Sequence, residues 1–314
     1  MSVAAAGVTV VICCYSEDRW SNLVAALAAL QDPQTAPGEI ILVVDHNPAL
    51  LARARNAFNA VHVLENGGKR GLSAARNTGV AAATRDIVAF VDDDAVVEPA
   101  WLPRLLRHYE DRSVIGVGGS ATPEWAGGRP SWFPEEFDWV VGCSYRGMPR
   151  SAARVRNLLG CNMSFRRQAF EIAGGFDTDI GRVGDRPVGC EETEFCIRLR
   201  QVQPETHLIY EPTAVVRHHV PAARATWSYF LARCYSEGLS KALISRMVGR
   251  DSALESERRY VRKVLPSALA RSVFDGIRHR KAALAARGLA VVTGLTMTTA
   301  GYAKGTAATW IRGR

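Results

Sequence analysis

The chain has 314 residues, 47% apolar and 22% charged, which allows one large domain or two modest ones around an ordinary globular core. The formal charge of +8 is uneven: residues 225–314 carry 16 Lys/Arg against 5 Asp/Glu, and residues 1–224 carry 23 against 26. Seven scattered cysteines without a Cys-x-x-Cys pair argue against a zinc centre, and a basic excess confined to the tail suits an anionic membrane surface better than nucleic acid.

Ser2–Gly7 is short and neutral, so no signal peptide is expected. The odd set of cysteines then reads as reduced thiols in the cytoplasm. Val8–Cys14 is a continuous β-branched run, as in a buried strand. A helical period over 20–30 follows, then a second buried strand over 39–44 that ends at Asp45. A helix over 48–57, a short strand over 61–64 and a Gly-rich loop over 66–71 come next. Residues 72–83 are Ala-rich and helical, and 87–91 form another buried strand ending at Asp92. Pro99 is expected just inside a helix running to 109.

This alternation predicts an α/β fold with a wound, mostly parallel sheet. Ligands of such sheets bind outside the carboxyl ends of the strands, so Asp45 and Asp92 share one rim. Beyond residue 119 the pattern loosens into a loop-rich, aromatic region. Helices are expected over 166–173 and 191–201, and a short strand at 215–216 leads into His218-His219. From Trp227 onward the chain reads as helical, giving a catalytic domain over 1–224 and a basic helical extension over 225–314. The uncharged stretch 288–303 is too short and too rich in Thr and Gly for a spanning helix, and reads as a packed or interfacial one.

Asp92-Asp93-Asp94 concentrates negative charge that a divalent cation such as Mg²⁺ or Mn²⁺ would neutralise, and the cation could bridge to a diphosphate. Its plainer explanation is an acidic turn before a helix. Asp45 can accept from a base N–H or a ribose hydroxyl, or simply form a turn. Arg76 lies on the helix opened by Gly71 and can reach a base or a phosphate, or serve as a surface arginine. Glu191 and Glu192 stand at a helix start, where acids complement the dipole and where a general base can sit. His218 completes a metal shell or is structural.

These segments, in this order, resemble the family 2 glycosyltransferases of the GT-A fold. The likeness covers residues 8–220 and rests on Val10–Tyr15, Val43–Asp45, Gly71–Asn77, Phe90–Asp94, Gly160–Arg167, Gly174–Asp177 and Glu191-Glu192. It implies an inverting, metal-dependent transfer from a nucleotide-sugar donor. Cys14 and Tyr15 would line the base pocket, and Asp45 would bind the base with Arg76 nearby. Asp92 would contact the ribose or the metal's water shell, with Asp93 beside it, and Asn162 would border the sugar. Asp94 would ligate the metal, with His218 near it. Glu192 would be the base, with Glu191 the alternative. The family's usual Pro-Thr is Cys13-Cys14 here, and its usual Glu-Asp is Glu191-Glu192. UDP is the expected nucleotide because a strand-end Asp matches uracil N3–H; thymine offers the same group.

The expected acceptor is a lipid-linked or envelope glycan, with the basic helices touching the cytoplasmic face of a membrane. A soluble acceptor, or a non-catalytic nucleotide-sugar-binding protein, is the alternative. A sugar nucleotidyltransferase would need a Gly-rich loop after the first strand, where this chain has Cys14-Tyr15-Ser16-Glu17-Asp18-Arg19.

Overall fold

The computed structural model describes residues 5–32, 36–181, 189–279 and 282–312. They form two compact units: Met1–Thr122 with Pro149–Arg186 and Glu191–His218, and Pro123–Met148 with Pro187–Cys190 and His219–Arg314.

The first unit is built on a sheet. Strand β1 (Val8–Cys14) is flanked in parallel by β2 (Glu39–Val44) and, further along the chain, by β4 (Ile87–Val91). All three are apolar runs and sit centrally, while β3 (His62–Glu65) pairs in parallel with β2 at the edge and is half-buried. Helices α1 (Trp20–Leu30), α2 (Pro48–Ala57) and α3 (Leu72–Ala82) make the crossovers. Asn47 caps α2 by accepting from the Leu50 N–H at 3.0 Å. Gly79 lets α3 lie directly on β1; a Cβ there would stand 2.4 Å from Val11 Cγ1.

Beyond β4 the sheet continues with antiparallel strands. Its order is β3-β2-β1-β4-β8-β6-β9-β5, with β7 attached to β9. These are β5 (Ala95–Val97), β6 (Val114–Trp125), β7 (Ala153–Val155), β8 (Asn162–Arg166) and β9 (His207–Val220). Helices α4 (Trp101–Leu106), α5 (Gln168–Ala173) and α6 (Glu191–Val202) accompany them. Phe90, Phe165, Phe170, Phe176 and Phe195 form one ring cluster between sheet and helices, with Phe170 stacked on Phe195 at 4.9 Å. Each such buried ring contributes roughly 2–3 kcal/mol of apolar burial.

Four elements differ from the sequence expectation. The helix expected from Pro99 begins only at Trp101, after Ala100 at φ 61, and gives way to a 3₁₀ turn at Arg107. Ala95–Val97 is instead a strand, too short to show a period but β-branched enough to pair with β9. The helix expected over 166–173 starts at Gln168, because Asn162–Arg166 pairs with β4. The short strand at 215–216 is part of the 14-residue β9, whose apolar pattern is broken by Glu211-Pro212-Thr213.

The second unit is helical and aromatic. Helices α7 (Trp227–Val248), α8 (Arg250–Ala253) and α9 (Glu255–Arg259) lead through a π turn at Tyr260–Val264 into α10 (Leu265–His279) and α11 (Ala282–Arg312). Gly301 allows α11 to touch α7; a Cβ there would meet Tyr235 O at 2.0 Å. The aromatic stretch that reads as loop in the sequence supplies this unit's core. Phe133 and Phe137 pack on Phe230 at 5.3 Å each, and Trp132 meets Trp227 at 4.6 Å. Among the described residues no helix is long and apolar enough to cross a membrane.

Candidate active site

The parallel strands deliver Asp45 and Asp92 to one rim. Residues of three other elements join them. Antiparallel pairing of β5 with β9 places Ala95 opposite His218. The turn between β4 and β5 therefore brings Asp94 to His218, with Oδ1 3.1 Å from Nε2, although 124 positions separate them in sequence. Asp92, Asp94 and His218 each offer one ligand atom, and these atoms lie within 4.8 Å of one another. Two carboxylates and an imidazole form a donor set that fits a divalent cation.

Asp93 and Asp94 are buried at 3% and 4% exposure, and Arg19 serves both: its Nη1 is 2.8 Å from Asp93 Oδ1 and 3.2 Å from Asp94 Oδ2. Burial pushes the Asp93 carboxyl above its usual range; Arg19 opposes this, and the neighbouring Asp94 and Asp92 add to it. Asp93 Oδ2 has no hydrogen-bond partner among the described residues.

Asp45 is oriented on both oxygens. Oδ1 accepts from Asn66 Nδ2 at 2.6 Å and Oδ2 from the Gly71 N–H at 3.0 Å. His46 Nδ1 lies 2.8 Å from Oδ1. Ionised carboxylates have further lone pairs, so acceptor capacity remains. Tyr15 is 41% exposed beside this rim, whereas Cys14 is buried. Burial raises both adjacent thiols, Cys13 to about 12, so they stay neutral.

Arg76 and Asn162 are each held by several partners of the sheet unit. Arg76 is buried and committed: Nη1 donates to Glu191 Oε1 at 2.7 Å and Nη2 to Gly160 O at 3.1 Å, with Asp92 Oδ1 at 3.5 Å. Its guanidinium also lies 5.6 Å from the Phe176 ring centroid. It ties α3 to the first turn of α6. Asn162 is fully buried, donates to Ser120 O and Ala214 O at 2.7 and 2.9 Å, and accepts from Trp101 Nε1 at 2.8 Å. Its amide clasps strands together, and both of its N–H donors are taken by those carbonyls.

The two glutamates are distinct. Glu191 is buried in the Arg76 pair, with Oε2 unpartnered among the described residues; Glu192, next along the helix, is half-buried. Asn66 and Arg19 escape the sequence reading. The carboxyl-end rule that marks Asp45 and Asp92 applies equally to the turn after β1, where Arg19 lies.

A wound sheet with an acidic rim at its strand ends, continued by antiparallel strands that return a histidine to the acids, is the GT-A glycosyltransferase arrangement. The Pyrobaculum calidifontis mannosyltransferase PcManGT, solved with GDP-Man and Mn²⁺, shares this fold at a TM-score of 0.53 and 18% identity, over 92% of this chain and 87% of that one. The chain belongs to glycosyl transferase family 2, whose sequence profile matches residues 9–172. It is 36% identical to the glucosyl-dolichyl phosphate glucuronosyltransferase of Haloferax volcanii, over 76% of this chain and 77% of that protein. The succinoglycan biosynthesis protein ExoM of Rhizobium meliloti is 25% identical over 72% of this chain and 71% of its own. The protein is thus a family 2 glycosyltransferase with residues fit to hold a metal.

Proposed function

We propose that the protein moves a hexose or hexuronic acid from a UDP-sugar to a hydroxyl of a lipid-linked or envelope glycan, with inversion. The observation that carries this is the close set of Asp92, Asp94 and His218 on the rim that also holds Asp45. An imidazole among the ligands favours Mn²⁺ over Mg²⁺. Such an ion, when bound, supplies Lewis-acid neutralisation of the diphosphate leaving group.

The chain's own residues do the rest. Asp45, fixed by Asn66 and Gly71, accepts the uracil N–H, with Tyr15 beside the base. Arg76 holds Glu191 and with it the start of α6. Because Glu191 is buried with Oε1 held by Arg76, the half-buried Glu192 is the carboxylate that takes the proton from the acceptor hydroxyl. The acceptor oxygen bonds to the anomeric carbon as the bond to the diphosphate breaks, and UDP leaves. Glu192→Gln is expected to lower transfer by about 10³-fold, with UDP binding retained. Transfer by E192Q near the wild-type rate overturns the assignment.

The acceptor class is supported by the Haloferax relative, named for glucosyl-dolichyl phosphate, and by the Rhizobium relative, named for succinoglycan biosynthesis. A peripheral place on the cytoplasmic face of a membrane is supported by the basic tail and by Phe274 and Leu289, exposed at 62% and 58%. Flotation with anionic vesicles tests this; protein left entirely in the soluble fraction overturns it.

A further inference from the structure

We propose that Arg19 is a positioning residue of the donor site, one that trims its charge to match a single dication. The inference deepens the proposed function and rests on its metal site. Arg19 lies in the turn after β1, touches both Asp93 and Asp94, and keeps a guanidinium 5.6 Å from the exposed Tyr15 ring. Nearby Arg76 is already matched by Glu191 and contributes little net charge to the rim. The three consecutive aspartates would place three negative charges around one divalent ion, and Arg19 leaves two. Its contact also fixes Asp94 through Oδ2, so that Oδ1 faces His218.

A cation site left with surplus negative charge still attracts the metal, but repels the diphosphate that must follow it. The two roles therefore separate. In Arg19→Gln, Mn²⁺ alone binds at least as tightly as in the wild type, while UDP in the presence of Mn²⁺ binds about tenfold more weakly. Removing the opposing charge as well, in the double variant R19Q/D93N, restores UDP affinity to within about threefold of wild type.

The experiment is calorimetry of MnCl₂ alone, then of UDP at saturating Mn²⁺, on wild type, R19Q, D93N and R19Q/D93N, with thermal melts alongside. Recovery in the double variant supports charge matching. If R19Q binds UDP like wild type, or the double variant binds as weakly as R19Q, the proposal is overturned. Should R19Q fold poorly because Asp93 is left buried and unpaired, the double variant removes both charges and decides the matter against D93N. If wild-type protein binds UDP equally with and without Mn²⁺, the metal site itself fails, an outcome distinct from failure of Arg19 alone.

Discussion

Two sets of buried carboxylates in the sheet unit are held in opposite ways. Glu211, on β9, is 1% exposed and surrounded by donors. Its Oε1 accepts from the Thr213 N–H at 3.0 Å and the Thr213 hydroxyl at 2.6 Å; Arg107 reaches Oε2, and His108 Nε2 lies 2.7 Å from it. Burial pushes this carboxyl up, yet the donors together outweigh burial and hold it at about 2. On the rim, Asp93 is pushed the other way, with Arg19 as its counterweight against burial and two neighbouring acids. Evolution of a stable fold explains Glu211. It does not explain packing Asp93 against Asp94, because like charges destabilise the state that assembles them. Under the proposed function, the rim acids that are costly to bury serve the chemistry, and the fully satisfied Glu211 serves the scaffold.

Exchanging a carboxylate for its amide in each set tests that distinction. Asp94→Asn carries the larger effect. Transfer should fall by about 10²–10³-fold through loss of a ligand at the diphosphate site, while stability changes by less than about 1 kcal/mol, since lost contacts with Arg19 and His218 are offset by reduced repulsion. Steady-state kinetics and urea unfolding on the same preparation check both halves. A D94N protein that unfolds well before wild type would make the rim a structural cluster and erase the contrast with Glu211.

The legible part of this protein is the part whose apolar pattern and ligand rule are both local. β1, β2 and β4 are continuous buried runs, and each ends where a rim residue begins, so Asp45 and Asp92 could be placed together from spacing alone. The antiparallel half was harder. β5 has three residues, and β9 is broken by a charged and a proline residue, so their pairing left no period to read. That pairing is what brings His218 to Asp94; in the sequence a metal shell is one of two readings of His218, and the family resemblance is what sets it near the metal. Side-chain commitment was the least legible property. Nothing in the order of residues says that Arg76 is spent on Glu191, that Asn162 is spent on Ser120, Ala214 and Trp101, or that Arg19 sits on the acids, because each partner lies on a different element.

The smaller effect comes from Glu211→Gln, and it should appear in stability alone. The amide keeps the shape but loses the charge that Arg107 and His108 face and puts an N–H₂ group where only donors point. The cost should be about 2 kcal/mol at neutral pH, moderated because Arg107 is half exposed. The sign with pH follows from the depressed carboxyl. The unfolded chain takes up the proton near pH 4.5 and the folded protein only near pH 2, so the stabilisation is full above 4.5 and drains away as pH falls between these values. Urea unfolding at pH 7 and pH 3 should therefore show the gap between wild type and E211Q narrowing in acid, while kcat at 25 °C stays within about twofold of wild type. A gap that holds constant across that range would mean Glu211 stabilises by packing and not by charge. A fall in kcat comparable to that of D94N would mean the scaffold acid is part of the site after all.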